Sequence, residues 1–351
     1  MNSINRRLNG LDALRGIAVL LVVSFHVATS FAPHQLYGHV FGYGYMGVQL
    51  FFLISAVTMC HMWSQRSGEP RPTLAFWIRR ATRIVPLFWF ALFFYYVIGL
   101  FQTPEQPITS LQNLLLVAFF FQGFSFDAIN QIVPGGWSIA VEMCFYFLFP
   151  LFVSALKGAT FRIFTAFVVY VVFTFISTWF NINTKGEQST FIYFSLLTQL
   201  PVFLVGMAIF ETATSEKFAP PWVLVGVCCI WVVFAVVAGR LGFLARPGFW
   251  LPVFILAAFV AVLASRWSNY WLESVGQKSY SIYLFHFAIV ELVGFLLGGF
   301  ARSGLFGFLT ALLVSIGGAL VVGTLSAKYL ESASARFGSY LLNHLSKSWS
   351  K

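Results

Sequence analysis

Apolar runs of about twenty residues, the length a helix needs to cross a bilayer, recur along this chain from residue 11 to residue 328. No polar block between them is long enough to fold by itself, so the 351 residues read as one integral membrane domain, an all-α polytopic helical bundle. Composition agrees: 59% of residues are hydrophobic and 9% are charged, where a soluble domain carries about a quarter charged. The runs fall near 11–29, 44–62, 84–101, 136–155, 161–180, 191–210, 220–238, 249–265, 279–297 and 305–328, about ten transmembrane helices.

The stretch Leu111 to Phe126 is apolar but short, and charge decides whether it crosses. With ten spans and a cytoplasmic N-terminus, sixteen of the 21 basic residues fall on the cytoplasmic side and four on the other, with Arg15 inside a span. If 111–126 also crossed, every later loop would switch sides and the split would be 11 against 9. The positive-inside rule therefore keeps both termini cytoplasmic and leaves 102–135 as a non-spanning extracytoplasmic segment, the lid or wall of a cavity. The net charge of +10 sits in short loops beside spans and sets topology, which argues against a nucleic-acid partner. Cys60, Cys144, Cys228 and Cys229 lie in apolar segments without metal-type spacing, so buried thiols and no metal are expected. Arg6 and Arg7 before an apolar run imitate a signal peptide, but no convincing small-residue cleavage site follows.

Polar residues inside spans carry the functional reading, because ionisable groups in lipid are costly enough to need a reason. Arg15 and His26 lie eleven residues apart in LDALRGIAVLLVVSFH. In a helix that is about three turns, so both share one face roughly 16 Å apart. The plainer alternative is an arginine reaching the interface and a histidine that only packs. FWIRRATRIVP reads as a loop before the third span, with Arg79, Arg80 and Arg83 at the cytoplasmic surface. Their guanidinium forks suit phosphate oxygens, although topology and lipid headgroups would use the same residues. In GGWSIAVEMCFYFLFP, Glu142 lies about 9 Å below the start of its span, near the expected depth of His26, so the two are expected to meet. His286 lies in SYSIYLFH close to Tyr283, and Gly47 before VQLFFLISA reads as a close helix contact. His34, His39, His61 and His344 read as loop or end residues.

Taken together, LDALRGIAVLLVVSFH, GVQLFFLISA at 47–56, RRATRIVP at 79–86, WSIAVE at 137–142 and SYSIYLFH at 279–286 resemble membrane acyltransferase family 3 over nearly the whole chain. That family O-acylates surface polysaccharides, lipopolysaccharide and related acceptors. The resemblance implies transfer of an acyl group, usually acetyl, from cytoplasmic acyl-CoA (acetyl-CoA by default) to a sugar hydroxyl at the far side of a bacterial cytoplasmic (inner) membrane. It implies catalytic roles for His26, Arg15 and Glu142, coenzyme binding by Arg80, Arg83 and neighbouring Arg79, and acceptor binding by Trp137, Ser138, His286 and Tyr283. Two departures stand out: Ala56 where glycine is usual, and YLES at 329–332 where the family commonly has Glu-Lys-Pro. The expected division is a transmembrane acyltransferase domain over 1–335 and a short cytoplasmic tail over 336–351, with no appended hydrolase-like domain, so that transfer is completed in the membrane. The competing class is a transporter or flippase for a lipid-linked sugar, although no internal repeat is visible. The sugar, the acyl chain length and the oligomeric state are left open.

Overall fold

The computed structural model describes residues 9–33, 41–102, 109–183, 189–214 and 269–349. The expected spans at 220–238 and 249–265 lie outside the described residues, as do His34, His39, Cys228, Cys229 and the basic residues at positions 6 and 7. The described residues form helices and no strand. They are α1 (Asn9–Phe31), α2 (Gly47–Arg66), α3 (Pro72–Gln102), α4 (Leu111–Ala118), α5 (Gly136–Ala155), α6 (Ala159–Asn183), α7 (Ser189–Phe194), α8 (Leu196–Thr214), α9 (Tyr270–Gln277), α10 (Ser279–Leu297), α11 (Leu305–Ser326) and α12 (Ser332–Trp349).

Seven helical stretches among the described residues are long and apolar enough to cross a membrane. They coincide with expected spans, and an eighth expected span, 161–180, falls within α6. Phe93, Phe147, Phe295 and Leu313 point outward, each more than 60% exposed. Such large apolar faces are not left to water; they are the lipid surface of an all-α integral membrane protein.

Helix α1 sits at the centre, packed on α2, α9, α10 and α11. Its Leu11, Leu14, Ala18 and Val22 recur at three- and four-residue spacing and are all buried. Glycines set how closely the neighbours approach. A Cβ at Gly276 of α9 would lie 1.7 Å from the Asp12 carbonyl oxygen, one at Gly16 would lie 2.3 Å from that of Leu272, and one at Gly47 would lie 2.4 Å from that of Ala18. Backbone therefore touches backbone on two sides of α1, the arrangement that small residues permit where lipid gives helices no hydrophobic reason to associate. Ala56 fits the same logic, since it faces Gly206 of α8, where a Cβ would come within 2.8 Å of its own.

Two boundaries differ from expectation. The arginine-rich FWIRRATRIVP is no loop: α3 begins at Pro72 and runs without a break through Gln102. Proline suits a first helical position, and the alanines, isoleucine and arginines that follow are adequate helix formers. Only the drop in hydropathy at the arginines moved the apparent start. At the other end, the chain continues from α11 through a π turn at Ala327–Glu331 into α12, which lies along α3 with Gly338 against Thr82. The unusual Glu331 of YLES accepts a hydrogen bond from Ser281, which also bonds Ser326 at 2.9 Å.

Among the described residues between α3 and α5, no helix is long enough to cross. Helix α4 has eight residues, a rise of about 12 Å against a hydrocarbon core of about 30 Å. Ser110 caps it by accepting from the Asn113 amide at 3.1 Å. Trp89 Nε1 donates to the Ala118 carbonyl at 2.8 Å and Gln122 Nε2 to the Gly136 carbonyl at 3.2 Å, holding the segment against the bundle.

The glycine contacts are testable. Gly276→Ala should destabilise the purified protein by about 1–3 kcal/mol, the usual cost of overpacking. Gly317→Ala, with nothing within 4 Å of the added carbon, should be neutral or slightly stabilising. Thermal unfolding in detergent compares the two.

Candidate active site

Two cavities border α1 and share part of their walls. One, of about 90 Å³, is bordered by Arg15, Arg80, Arg83, Ser55, Glu142 and Tyr146. The other, of about 700 Å³, is bordered by His26, Trp137, Tyr193, Phe194, Asn130 and Phe287, among others. Val48 and Tyr283 belong to the walls of both. They form a neck. Arg15 and His26 thus do occupy one helix and open on different chambers, as their spacing indicates.

Around the smaller chamber the charges are held by named partners. Arg15 donates to Asp12 Oδ1 and to Thr58 Oγ1, each at 2.8 Å, which fixes the guanidinium between its own helix and α2. Arg80 is 5% exposed; its Nη2 rests on the Met62 sulfur, its guanidinium carbon lies 5.7 Å from the centre of the Tyr146 ring, and its Nε has no hydrogen-bond partner among the described residues. Arg83 reaches the same chamber from an exposed position one helical turn on. Arg79 does not: it pairs with Glu69, away from the cavity wall. Helix geometry alone does not make this split, since 79 and 83 are four apart and share a face; it is the pairing with Glu69 that draws Arg79 away.

Glu142 is not the partner of His26. Its Oε1 accepts from the Ser55 hydroxyl at 2.5 Å and from the Tyr146 hydroxyl, while those two oxygens lie 2.6 Å apart. The expectation compared depths counted from the ends of two helices. Instead, His26 lies level with Gly135 and Trp137, which share its cavity, and Glu142 is about 9 Å further along α5, past the neck.

What surrounds His26 is aromatic. Its ring centre is 4.3 Å from that of Phe287, 5.0 Å from Phe25 and 5.2 Å from His286. Trp137 stacks on Phe194 with centres 4.3 Å apart. His286 is fully buried behind Phe287 and does not line the cavity, so it does not stand where an acceptor-binding residue would. Tyr283 is pinned at the neck: its hydroxyl shares a hydrogen bond with Ser138 Oγ at 2.8 Å and donates to the Gly135 carbonyl at 3.1 Å. Gly135 has φ +74°, and a Cβ there would sit 3.0 Å from that hydroxyl, so both conformation and space demand glycine. No group of three His, Cys, Asp or Glu side chains among the described residues is placed to hold a metal ion.

Comparison with known proteins gives the family of the chain. The acyltransferase family 3 model, an acyltransferase domain, matches residues 8–327. The chain belongs to that family. The O-acetyltransferase OatA of Staphylococcus aureus strain NCTC 8325 is 26% identical over 321 residues, covering 82% of this chain and 51% of OatA. A protein of S. aureus strain COL named as a candidate O-acetyltransferase, SACOL0978, is 26% identical over 325 residues with the same coverage. The chain thus spans about half the length of these curated relatives. No solved structure matches it.

Several members of the site were not singled out in the sequence. Asp12 stands three residues before Arg15 and Tyr146 four after Glu142, spacings that place each pair on one helix face. Ser55 and Thr58 come from α2, and nothing local announces which helix they will face. If Arg80 and Arg83 contact phosphate and Arg79 does not, Arg80→Ala or Arg83→Ala should raise the KM for acetyl-CoA on the order of 10- to 100-fold, the scale of a charged hydrogen bond. Arg79→Ala should leave it nearly unchanged, as initial rates in membranes will read.

Proposed function

We propose that this protein is a membrane O-acetyltransferase of the bacterial cytoplasmic membrane, with both termini in the cytoplasm. It moves an acetyl group from cytoplasmic acetyl-CoA to a sugar hydroxyl of a surface glycan or its lipid-linked precursor. The observation that carries this reading is the pair of abutting cavities on α1, one bounded by cations and the other containing a histidine among aromatic rings. Family membership and the O-acetyltransferase name of the relatives support an enzyme over a transporter.

The residues of the smaller chamber suit a phosphate-bearing thioester. Arg83, exposed, and Arg80, with an unmatched buried Nε–H donor, offer hydrogen bonds at the mouth. A space of about 90 Å³ suits only the thioester end of the pantetheine arm and keeps the nucleotide outside. Arg15, held by Asp12 and Thr58, stands where it can steady that arm. Glu142, with Ser55 and Tyr146, forms a hydrogen-bonded floor that fixes Tyr146 beneath Arg80.

The larger cavity suits a sugar, whose C–H faces pack on rings such as Trp137 and Phe194. There His26 acts as general base. It takes the proton of the attacking hydroxyl as that oxygen bonds to the acyl carbon at the neck; the carbon–sulfur bond breaks, and the proton passes to the leaving thiolate, so ester and free thiol are the products. The Tyr283 and Ser138 hydroxyls stand at this junction, in reach of the carbonyl. Base catalysis of this kind contributes about 10²- to 10⁴-fold.

The test is transfer of radiolabelled acetyl from acetyl-CoA into glycan by membranes of matched protein abundance. His26→Ala should reduce incorporation by at least about 10²-fold while the protein remains in the membrane. Undiminished labelling by that variant would remove His26 from the mechanism, and no labelling by wild type would return the transporter reading.

A further inference from the structure

His286 is wholly buried on α10, with its Nδ1 2.6 Å from the carbonyl oxygen of Tyr283. A carbonyl can only accept, so Nδ1 carries the hydrogen of the neutral ring and Nε2 is left with a bare lone pair. Among the described residues that Nε2 has no hydrogen-bond partner. An orphaned acceptor in a sealed interior needs an account, and the rings around it narrow the choice. Phe287, with its centre 4.2 Å away, has no polar hydrogen to give. Tyr283, at 5.6 Å, has its hydroxyl committed to Ser138 and Gly135. The remaining ring is His26, at 5.2 Å, which also faces the larger cavity.

We propose that His286 is the positioning residue of the catalytic base: its Nε2 accepts the N–H of His26 and so fixes which His26 nitrogen is bare and turned to the acceptor hydroxyl. The inference rests on the reading of His26 as general base. The two rings, tilted by 43°, come into hydrogen-bonding reach on a small rotation of His26, whose ring has a cavity on one side in which to turn. The relay is anchored one step further back, because Tyr283 supplies the carbonyl that sets the His286 tautomer and the hydroxyl that closes the neck. When His26 takes up the hydroxyl proton, its second N–H remains shared with His286, which disperses the charge without itself changing protonation. His286 touches neither substrate.

Two substitutions separate this role from packing. In His286→Asn the amide can keep the bond to the Tyr283 carbonyl but has no atom where Nε2 stood; in His286→Gln the amide reaches that place with an acceptor oxygen. The Asn variant should lose about tenfold or more in kcat, the scale of one net hydrogen bond, with KM for acetyl-CoA and acceptor unchanged, and the Gln variant should recover most of it. Equal loss in both variants, or none in either, overturns the proposal. Nitrogen-15 NMR of histidine-labelled wild type in bilayers gives a reading without substitution: a hydrogen bond between the two rings is expected, and two uncoupled rings would overturn it. His26→Ala, assayed alongside, tests the base assignment separately, since its undiminished activity would remove the base whatever the His286 variants do.

Discussion

Among the described residues, backbone meets backbone where α1 packs on α9 through Gly16 and Gly276 and on α2 through Gly47. Everything chemical hangs from that contact. Arg15 immediately precedes Gly16, so the pinch at Gly16 fixes where its guanidinium can go, and Asp12 and Thr58 take it up from either side. Three turns further, the same rod delivers His26 to the rings of Phe287 and His286. A helix held rigidly at one end is a ruler of about 1.5 Å per residue, and two cavities are set along this one.

The polar residues of the bundle are spent in clusters that each join two or three helices. Ser55, Glu142 and Tyr146 tie α2 to α5, and Tyr283, Ser138 and Gly135 tie α10 to the start of α5. Ser281, Ser326 and Glu331 tie α10 to the π turn after α11. In hydrocarbon a lone hydroxyl or carboxylate is expensive, and each of these is satisfied by another from a different element. The same bonds that remove that cost also orient the groups at the neck.

The fold was legible where one helix alone decided it. Apolar length marked the spans that fall within the described residues, the shortness of the apolar run at 111–126 matched a helix too short to cross, and the spacing of Arg15 and His26 placed them three turns apart on one helix. The sequence misled where two helices had to be compared. Glu142 and His26 looked level only because each depth was counted from its own helix end, whereas the segment over 122–135 folds across the start of α5 and shifts that origin. The arginines were read as a loop because hydropathy measures lipid affinity and says nothing of whether a helix has begun, and α3 begins seven residues before Arg79. The pairing of Arg79 with Glu69 and the orphaned Nε2 of His286 depend on contacts between distant residues, which no local pattern encodes.

The neck has a consequence of another kind. A polar passage running the whole depth of a membrane-spanning bundle would conduct protons and small ions, and a cell that stores energy as a gradient could not keep such a protein in quantity. Here the two chambers share a valine and a tyrosine in their walls, and the tyrosine hydroxyl is already bonded on two sides. A junction closed by such a hydroxyl would let groups face both chambers without a continuous water path between them at that point.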